Sequence, residues 1–224
     1  CHSFGILCRW SGVATPVERG AAKGGKSAGI VENALTGLAD DHPWFSGFVR
    51  NTGGSRFTAI DSRLFDLIPN ADRLAEFSPL SYETTGRGGA VGEALTGVEF
   101  ARDEAGVMPR MFGVNHHPEI MDAGRQKLIL ETLWEKREVT RAWYDERMAV
   151  VAEGSQDPQL AQALALTTGF MFVWPLRFHL IRNLRQRAEA LNRSFEMHED
   201  DVLEKPIGDR RRRPRSVTAP SPAL

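Results

Sequence analysis

The sequence is poor in cysteine, with Cys1 and Cys8 as the only two among 224 residues. Two thiols at this spacing provide neither a disulfide framework nor a set of metal ligands. This composition is typical of a protein in a reducing compartment, and it predicts a cytoplasmic location.

Charge of either sign is not in excess, since 28 Lys and Arg residues face 29 Asp and Glu residues and the net charge is −1. A molecule with this balance does not as a whole attract nucleic acid or an anionic membrane. Basic residues are concentrated only in the run RRRRPR at residues 210–215. Adjacent arginines of this kind usually form a solvated run. We predict that residues 201–224 form a disordered tail.

The sequence also lacks an uninterrupted apolar run of membrane-spanning length. Its most apolar window, Leu164–Ile181, contains Pro175, Arg177 and His179, whereas a bilayer span needs about 20 predominantly apolar residues. The first residues have neither the charged nor the apolar segment of a signal peptide. We therefore interpret the window as a buried or partner-facing helix and predict no membrane contact.

The first 120 residues mix short apolar runs with frequent Gly and Pro, a pattern typical of alternating strands and helices. FGILC at residues 4–8 predicts the start of a buried helix, and RFTAI at residues 56–60 predicts a strand. DEAG at residues 103–106 predicts a hairpin turn between two strands.

From residue 123 to about 151 the apolar residues recur at helical spacing. Asp157-Pro158 interrupts this pattern, and a second long helix is predicted from Pro158 towards Leu191, with a kink at Pro175. We expect a first domain over residues 1–135 and a helical extension over residues 136–200.

GAAKGGKS, residues 20–27, matches the phosphate-binding loop pattern G-x-x-x-x-G-K-S. In that reading Lys26 would contact terminal phosphates and Ser27 would contact Mg²⁺. The pattern requires a buried strand directly before it, but GVATPVER contains Pro16 and charges there. We therefore interpret the stretch as a Gly- and Lys-containing loop.

Cys1 and the stretch GVNHHPEI, residues 113–120, together contain the parts of a thioester-forming site. A thiol needs a neighbouring base because little of it is thiolate near pH 7. His117 is a suitable base, and Glu119 is well placed to orient its imidazole. Small residues Ser3 and Gly5 follow Cys1, as at a strand-to-helix nucleophile elbow. The alternatives are a buried structural cysteine and a loop histidine.

These residues resemble the class I glutamine amidotransferases, whose motifs read C-x-G-x-Q at the elbow and Q-F-H-P-E at the base. DHPWFSGF, residues 41–48, is similar to the family segment H-P-L-F-x-G. LFDLIPNADRLAEFS, residues 64–78, is similar to the segment E-V-x-x-L-P-x-G-A-x-x-L-A-x-S. The resemblance covers about residues 1–135, and we expect His42 to be a surface loop residue.

The resemblance implies a three-layer α/β fold with a mostly parallel sheet, a nucleophile elbow and helices on both faces, of the flavodoxin-like amidotransferase type. Cys1 would be the nucleophile, His117 the base and Glu119 its orienting group. The backbone N–H of His2 would form half of the oxyanion hole. His116 occupies the family's aromatic position and is not the predicted base. The implied reaction is hydrolysis of the glutamine side-chain amide without a metal or an organic cofactor.

The resemblance also implies that ammonia passes to a synthase partner, which could bind the C-terminal helices. Those helices could instead mediate homo-oligomerisation, or pack back on their own domain.

Two other functions stay open, because the family's elbow residues Gly and Gln are replaced by Ser3 and Gly5. DSR, residues 61–63, is similar to the H-S-R segment of the homoserine O-acyltransferases, which share the fold. A catalytically silent amidotransferase-like binding module is the other alternative.

An enzyme with an N-terminal nucleophile would use its own α-amine as base and would not need the H-P-E motif. In the amidotransferase fold, strands and helices precede the elbow cysteine. We therefore expect Cys1 to be the first residue of an N-terminally truncated sequence, and this stretch alone to be inactive.

Overall fold

The computed structural model describes residues 2–20, 25–120 and 123–196. Cys1 and the tail at residues 201–224 lie outside the described residues, so the predictions made for them are not addressed by the structure. The described part is a mixed α/β fold with two antiparallel sheets and helices. Its strands are β1 Ala14–Glu18, β2 Ser27–Leu35, β3 Arg56–Arg63, β4 Phe65–Pro69, β5 Ser78–Thr84, β6 Val91–Arg102 and β7 Pro109–Val114. Its helices are α1 His2–Ser11, α2 Gly37–Asp40, α3 Phe45–Thr52, α4 Ala71–Leu74, α5 Ala123–Glu135, α6 Arg141–Gln156, α7 Pro158–Thr168 and α8 Trp174–Ala190.

The main sheet has five strands in the order β3-β2-β5-β6-β7, and every pair in it is antiparallel. A smaller sheet pairs β1 with β4, also antiparallel. The predicted mostly parallel, three-layer sheet is therefore wrong for the described residues. Parallel neighbours need a long crossover connection, usually a helix. Here β6 and β7 are joined by a short turn, and only α4 lies between β4 and β5.

The predicted hairpin at residues 103–106 is confirmed. The β6–β7 ladder runs from Gly97↔Val114 to Arg102↔Pro109. Asp103 closes the turn, because its Oδ1 accepts hydrogen bonds from the backbone N–H groups of Val107 and Met108 at 2.8 and 3.0 Å.

The buried helix predicted at FGILC is α1, and the strand predicted at RFTAI is the first part of β3. Helix α1 buries Phe4 and Cys8 in a cluster with Leu67, Leu95 and Val98. This cluster fixes α1 against the sheet, because apolar side chains at i and i+4 lie on one helix face.

Helix α5 ends at Glu135, so the helical pattern of residues 123–151 corresponds to two helices. Arg137 adopts a left-handed conformation with φ 57°, which interrupts the helix. Thr140 then caps α6 by accepting a hydrogen bond from the N–H of Trp143 at 3.3 Å.

The predicted break at Asp157-Pro158 is the start of α7. Asp157 Oδ1 accepts hydrogen bonds from the N–H groups of Gln159 and Leu160, and Pro158 occupies the first turn. A π-helical segment, Gly169–Val173, links α7 directly to α8. This irregular turn lies just before Pro175, which lacks a backbone N–H for the helical ladder. The kink at Pro175 stays a prediction.

The helical extension packs back on the sheet. Five of its residues belong to the largest core cluster: Phe170, Met171, Trp174, Phe178 and Ile181. Trp44 Nε1 donates a hydrogen bond to the carbonyl of Phe170 at 2.9 Å. Thr167 donates its hydroxyl to the Thr58 carbonyl on β3 at 2.7 Å. The face of the extension that carries these residues therefore packs on the chain's own domain, which was one of the predicted alternatives. The domain boundary at residue 135 stays a prediction.

The opposite face of α8 exposes Leu176, Leu180 and Leu184. By length and composition the run Pro158–Ala190 could cross a membrane, with a mean hydropathy of 1.3 in its most apolar window. Half of that window is buried inside the structure. A core helix passes the same test of length and composition.

Candidate functional site

The loop that follows β7 is fixed to the sheet by backbone hydrogen bonds. The N–H of Asn115 donates to the Thr96 carbonyl on β6 at 2.8 Å, and the N–H of His117 donates to the Ile60 carbonyl on β3 at 2.7 Å. These bonds place the backbone of His117 at the edge of the main sheet. Its position is therefore fixed by hydrogen bonds to strands β3 and β6, although His117 itself lies in a loop.

His117 and Glu119 are brought together by this loop. His117 Nδ1 lies 2.8 Å from Glu119 Oε1. Pro118 stands between them and holds the local φ near −65°. Burial raises the pKa of the Glu119 carboxyl, but the hydrogen bond with His117, a backbone hydrogen bond and nearby positive charge together outweigh burial, and the net pKa is below its usual value. The carboxylate is therefore ionised and accepts the hydrogen bond at neutral pH.

The second ring nitrogen of His117, Nε2, is buried and has no hydrogen-bond partner among the residues that the structure describes. Because Nδ1 is bonded to a carboxylate acceptor, Nδ1 carries the ring proton and the neutral Nε2 has a free lone pair. This is the arrangement of an oriented general base.

His116 lies in the core and takes no part in this pair. Its Nε2 lies 3.0 Å from the sulfur of Met171, and its ring packs edge-on against Phe57. Burial lowers the pKa of His116 to about 3. The side chain is therefore a neutral core residue at physiological pH.

Helix α1 begins at His2, directly after Cys1 in the chain. Its first turn packs on the strand that leads to His117, because a Cβ at Gly113 would overlap the Phe4 ring. The absence of a side chain at Gly113 permits this close approach. The structure thus brings the start of α1 next to the end of β7. It describes His2 as exposed and does not describe Cys1.

A buried charged cluster lies on β3 beside this site, and the motif analysis missed it. Asp61 accepts a hydrogen bond from the Ser27 hydroxyl at 2.6 Å. The Arg63 guanidinium contacts the carboxylates of Asp61 and Asp66 at 3.3 Å each and also that of Glu83. Burial raises the pKa of Asp61, although Arg63 and Ser27 oppose it. In the sequence this cluster is indicated only by the polar end of RFTAIDSR, residues 56–63. There we interpret DSR as similar to the H-S-R segment of the acyltransferases.

The prediction that His42 is a surface residue is wrong. Its ring is buried, and Nδ1 accepts hydrogen bonds from the backbone N–H groups of Trp44 and Phe45 at 3.0 and 3.2 Å. Since Nδ1 accepts, Nε2 carries the proton and donates to Glu99 at 3.1 Å. His42 therefore orders the start of α3, a role that depends on a strand 57 residues later.

The phosphate-binding loop pattern does not have the required structural context. Residues 21–24 lie outside the described part, but Ser27 is the first residue of strand β2. A phosphate-binding loop leads into a helix whose N-terminus receives the phosphate. The carbonyl of Lys26 accepts a hydrogen bond from Trp143 Nε1 at 3.2 Å, which ties this stretch to α6 instead. Within the described ranges there is also no group of His, Cys, Asp or Glu that could hold a metal ion.

Cys8 is expected not to react with iodoacetamide in the folded protein. Burial raises the pKa of its thiol to about 12, and the thiolate is the reactive form. Mass spectrometry after native alkylation should detect no label on Cys8, whereas alkylation in urea should label it. Cys8→Ala is the control for the count of labelled thiols. Native labelling of Cys8 would contradict its buried position.

Comparisons with known proteins give similarity to solved structures. No family model and no curated protein matches the chain. A solved structure of a glutamine amidotransferase from Thermotoga maritima is similar to it, with a TM-score of 0.44 and 13% sequence identity. The match covers 75% of this chain and 58% of that structure, so the chain spans less than two thirds of its length.

Proposed function

We propose that the protein hydrolyses the side-chain amide of glutamine through a cysteine thioester and passes the ammonia to an acceptor. The observation that carries this proposal is the His117–Glu119 pair, in which His117 Nε2 is buried and has no partner among the described residues. A second support is the start of α1, which packs beside the end of β7 and directly follows Cys1 in the chain. Cysteines that precede a helix have a lowered thiol pKa and an increased thiolate fraction.

In the proposed mechanism Cys1 transfers its proton to His117 Nε2, and the thiolate attacks the amide carbon of glutamine. The developing oxyanion accepts a hydrogen bond from the N–H of His2, which has no intrahelical partner because it lies in the first turn. Protonated His117 gives its proton to the leaving nitrogen, the C–N bond breaks, and ammonia departs from a glutamyl thioester.

His117 then removes a proton from water, which attacks the thioester carbon. The C–S bond breaks, glutamate leaves, and the proton returns to the Cys1 sulfur. Glu119 keeps the imidazole oriented and stabilises its protonated form in both halves of the reaction. A synthase partner bound on the exposed leucines of α8 would receive the ammonia. Self-association of the protein through the same leucines is the alternative.

The homoserine acyltransferase alternative rests on Asp61, Ser62 and Arg63. Arg63 is buried and in contact with three carboxylates, so its guanidinium has little capacity left for a further anionic group. The amidotransferase function is therefore the better supported of the two.

The test is an assay of ammonia release from L-glutamine, using the polypeptide encoded by the complete gene. Ammonia and glutamate in equal amounts would support the proposal. Consumption of acyl-CoA with homoserine, without ammonia, would replace it with the acyltransferase function. Absence of both reactions would leave a catalytically silent binding module.

A further inference from the structure

A cavity of about 430 Å³ lies between the main sheet and the helical extension. Strands β2, β3 and β5 form its floor, while Arg147 of α6 and Leu160 of α7 contribute from the helices. Its size falls within the range of small-molecule sites. His117 does not line it, so the cavity is separate from the proposed catalytic pair.

The cavity contains buried polar atoms that have no partner among the described residues. Asn33 is 1% exposed, and both its amide nitrogen and its amide oxygen lack a hydrogen bond. Asp61 Oδ1 and Arg147 Nε are unpartnered as well. A buried polar group without a partner destabilises the folded state, and native proteins rarely leave several at one place. These atoms therefore indicate a ligand with matching groups.

The ion pairs around the cavity show which lining side chains are still free to bind that ligand. Arg19 and Arg63 are held by Asp66 and Glu83. The Arg147 guanidinium has no carboxylate partner among the described residues, and its carbon lies 5.9 Å from the centroid of the Trp143 ring. Arg87 also lines the cavity but is exposed. Among the lining residues that are not exposed, the groups left for a ligand are the guanidinium of Arg147, a carboxylate oxygen of Asp61 and the neutral amide of Asn33. A zwitterion with a polar, uncharged end matches this set.

The strand register sets the length of the ligand. Asp61 lies opposite Gly29, and the Arg147 side chain reaches the same position, since a Cβ on Gly29 would contact its Cδ at 3.6 Å. Asn33 is four residues further along β2, a distance of about 13 Å between Cα atoms. When the lengths of the hydrogen bonds at both ends are subtracted from this distance, the remaining length matches an extended amino acid side chain with a terminal carboxamide.

We infer that this cavity is a second, non-catalytic binding site for a free α-amino acid with a terminal carboxamide, of the length of glutamine. The carboxylate binds Arg147, the ammonium group binds Asp61, and the carboxamide pairs with Asn33. The inference goes beyond the proposed function and does not depend on it, because it uses no residue of the catalytic pair.

Isothermal titration calorimetry with L-glutamine on the full-length protein tests the inference. L-Norvaline lacks the carboxamide and glutaramate lacks the ammonium group, and each should bind this site at least ~10-fold more weakly. Asn33→Leu should weaken glutamine binding at this site by the same factor. It should also raise the Tm of the ligand-free protein by about 2–4 °C, because it removes an unsatisfied amide. A merely structural asparagine would instead lower the Tm when replaced.

Asn51→Leu, at an exposed asparagine of α3, is the matched control and should bind glutamine normally. Arg147→Met removes the group proposed to bind the carboxylate of the ligand, and it is the second test if Asn33→Leu does not fold. Glutamine affinity that is unchanged in both Asn33→Leu and Arg147→Met would overturn the inference, and so would the absence of binding at this site in the unmodified protein. Ammonia release at saturating glutamine should be unchanged in Asn33→Leu. Retained binding without ammonia release would refute the proposed function and leave this site in place.

Discussion

Replacing His117 with alanine is expected to reduce glutamine hydrolysis by about 10²–10⁴-fold, the contribution of a positioned general acid and base. In the proposed mechanism this variant lacks the proton acceptor for Cys1 and the proton donor for ammonia. Cys1→Ala should abolish thioester formation entirely. Steady-state ammonia release, with kcat and KM measured separately, provides the test, and the loss should occur in kcat.

Glu119→Gln should also reduce kcat, by up to about 10⁴-fold, since the amide neither fixes the imidazole tautomer nor provides the stabilising charge. The pKa of Glu119 is lowered in the folded protein. The contribution of the Glu119 carboxylate to stability is therefore complete above the pKa that this carboxyl has in the unfolded protein. It is lost as the pH falls through the pKa that the carboxyl has in the folded protein. We expect activity to fall on the acid side at a lower pH in Glu119→Gln than in the unmodified protein, because an imidazolium that is no longer stabilised by a carboxylate loses its proton more readily.

His116→Leu is the discriminating control, because it changes the neighbouring histidine in the core. It should change the stability and leave kcat of the folded fraction intact. Loss of turnover in His116→Leu with retention in His117→Ala would reverse the assignment. Glu104→Gln, at an exposed carboxylate in the hairpin turn, should change nothing.

Trp174→Ala is expected to lower the free energy of unfolding by about 3–5 kcal/mol, the usual cost of truncating a buried aromatic side chain. Trp174 is 7% exposed, and its ring contacts those of Phe170 and Trp44 at 4.6 and 6.1 Å between centroids. The first partner belongs to the π-helical segment and the second precedes α3. The variant therefore tests whether the extension and the sheet share one core.

Leu176→Ala is the matched control on the same helix, since its side chain is 57% exposed. Urea unfolding should give a change of at most about 0.5 kcal/mol for this variant. A small effect of Trp174→Ala, or unfolding in two separate transitions, would contradict a shared core.

Elements governed by neighbouring residues could be predicted from the sequence. The helix at FGILC and the β6–β7 hairpin follow from local apolar spacing and from a turn closed by Asp103. The contact between His117 and Glu119 is also local, because only Pro118 separates them.

Features that depend on distant residues could not be predicted. The direction of the strands was inferred from a family likeness, and strand pairing depends on which segments meet after folding. The role of His42 depends on Glu99, and the neutrality of His116 depends on burial against Met171. The cluster around Arg63 joins strands β3, β4 and β5 through charges that carry no periodic signal.

The contact between Gly113 and Phe4 has a consequence for how the two ends of the proposed site stay aligned. The ring of Phe4 rests directly on the backbone of β7, so the separation of α1 from this strand is the thickness of one aromatic ring. A side chain at position 113 would overlap the Phe4 ring, so Phe4 and the helix that carries it would have to shift away from β7. His2 at the start of α1 would then move away from the end of β7, although no residue of the proposed site had been changed.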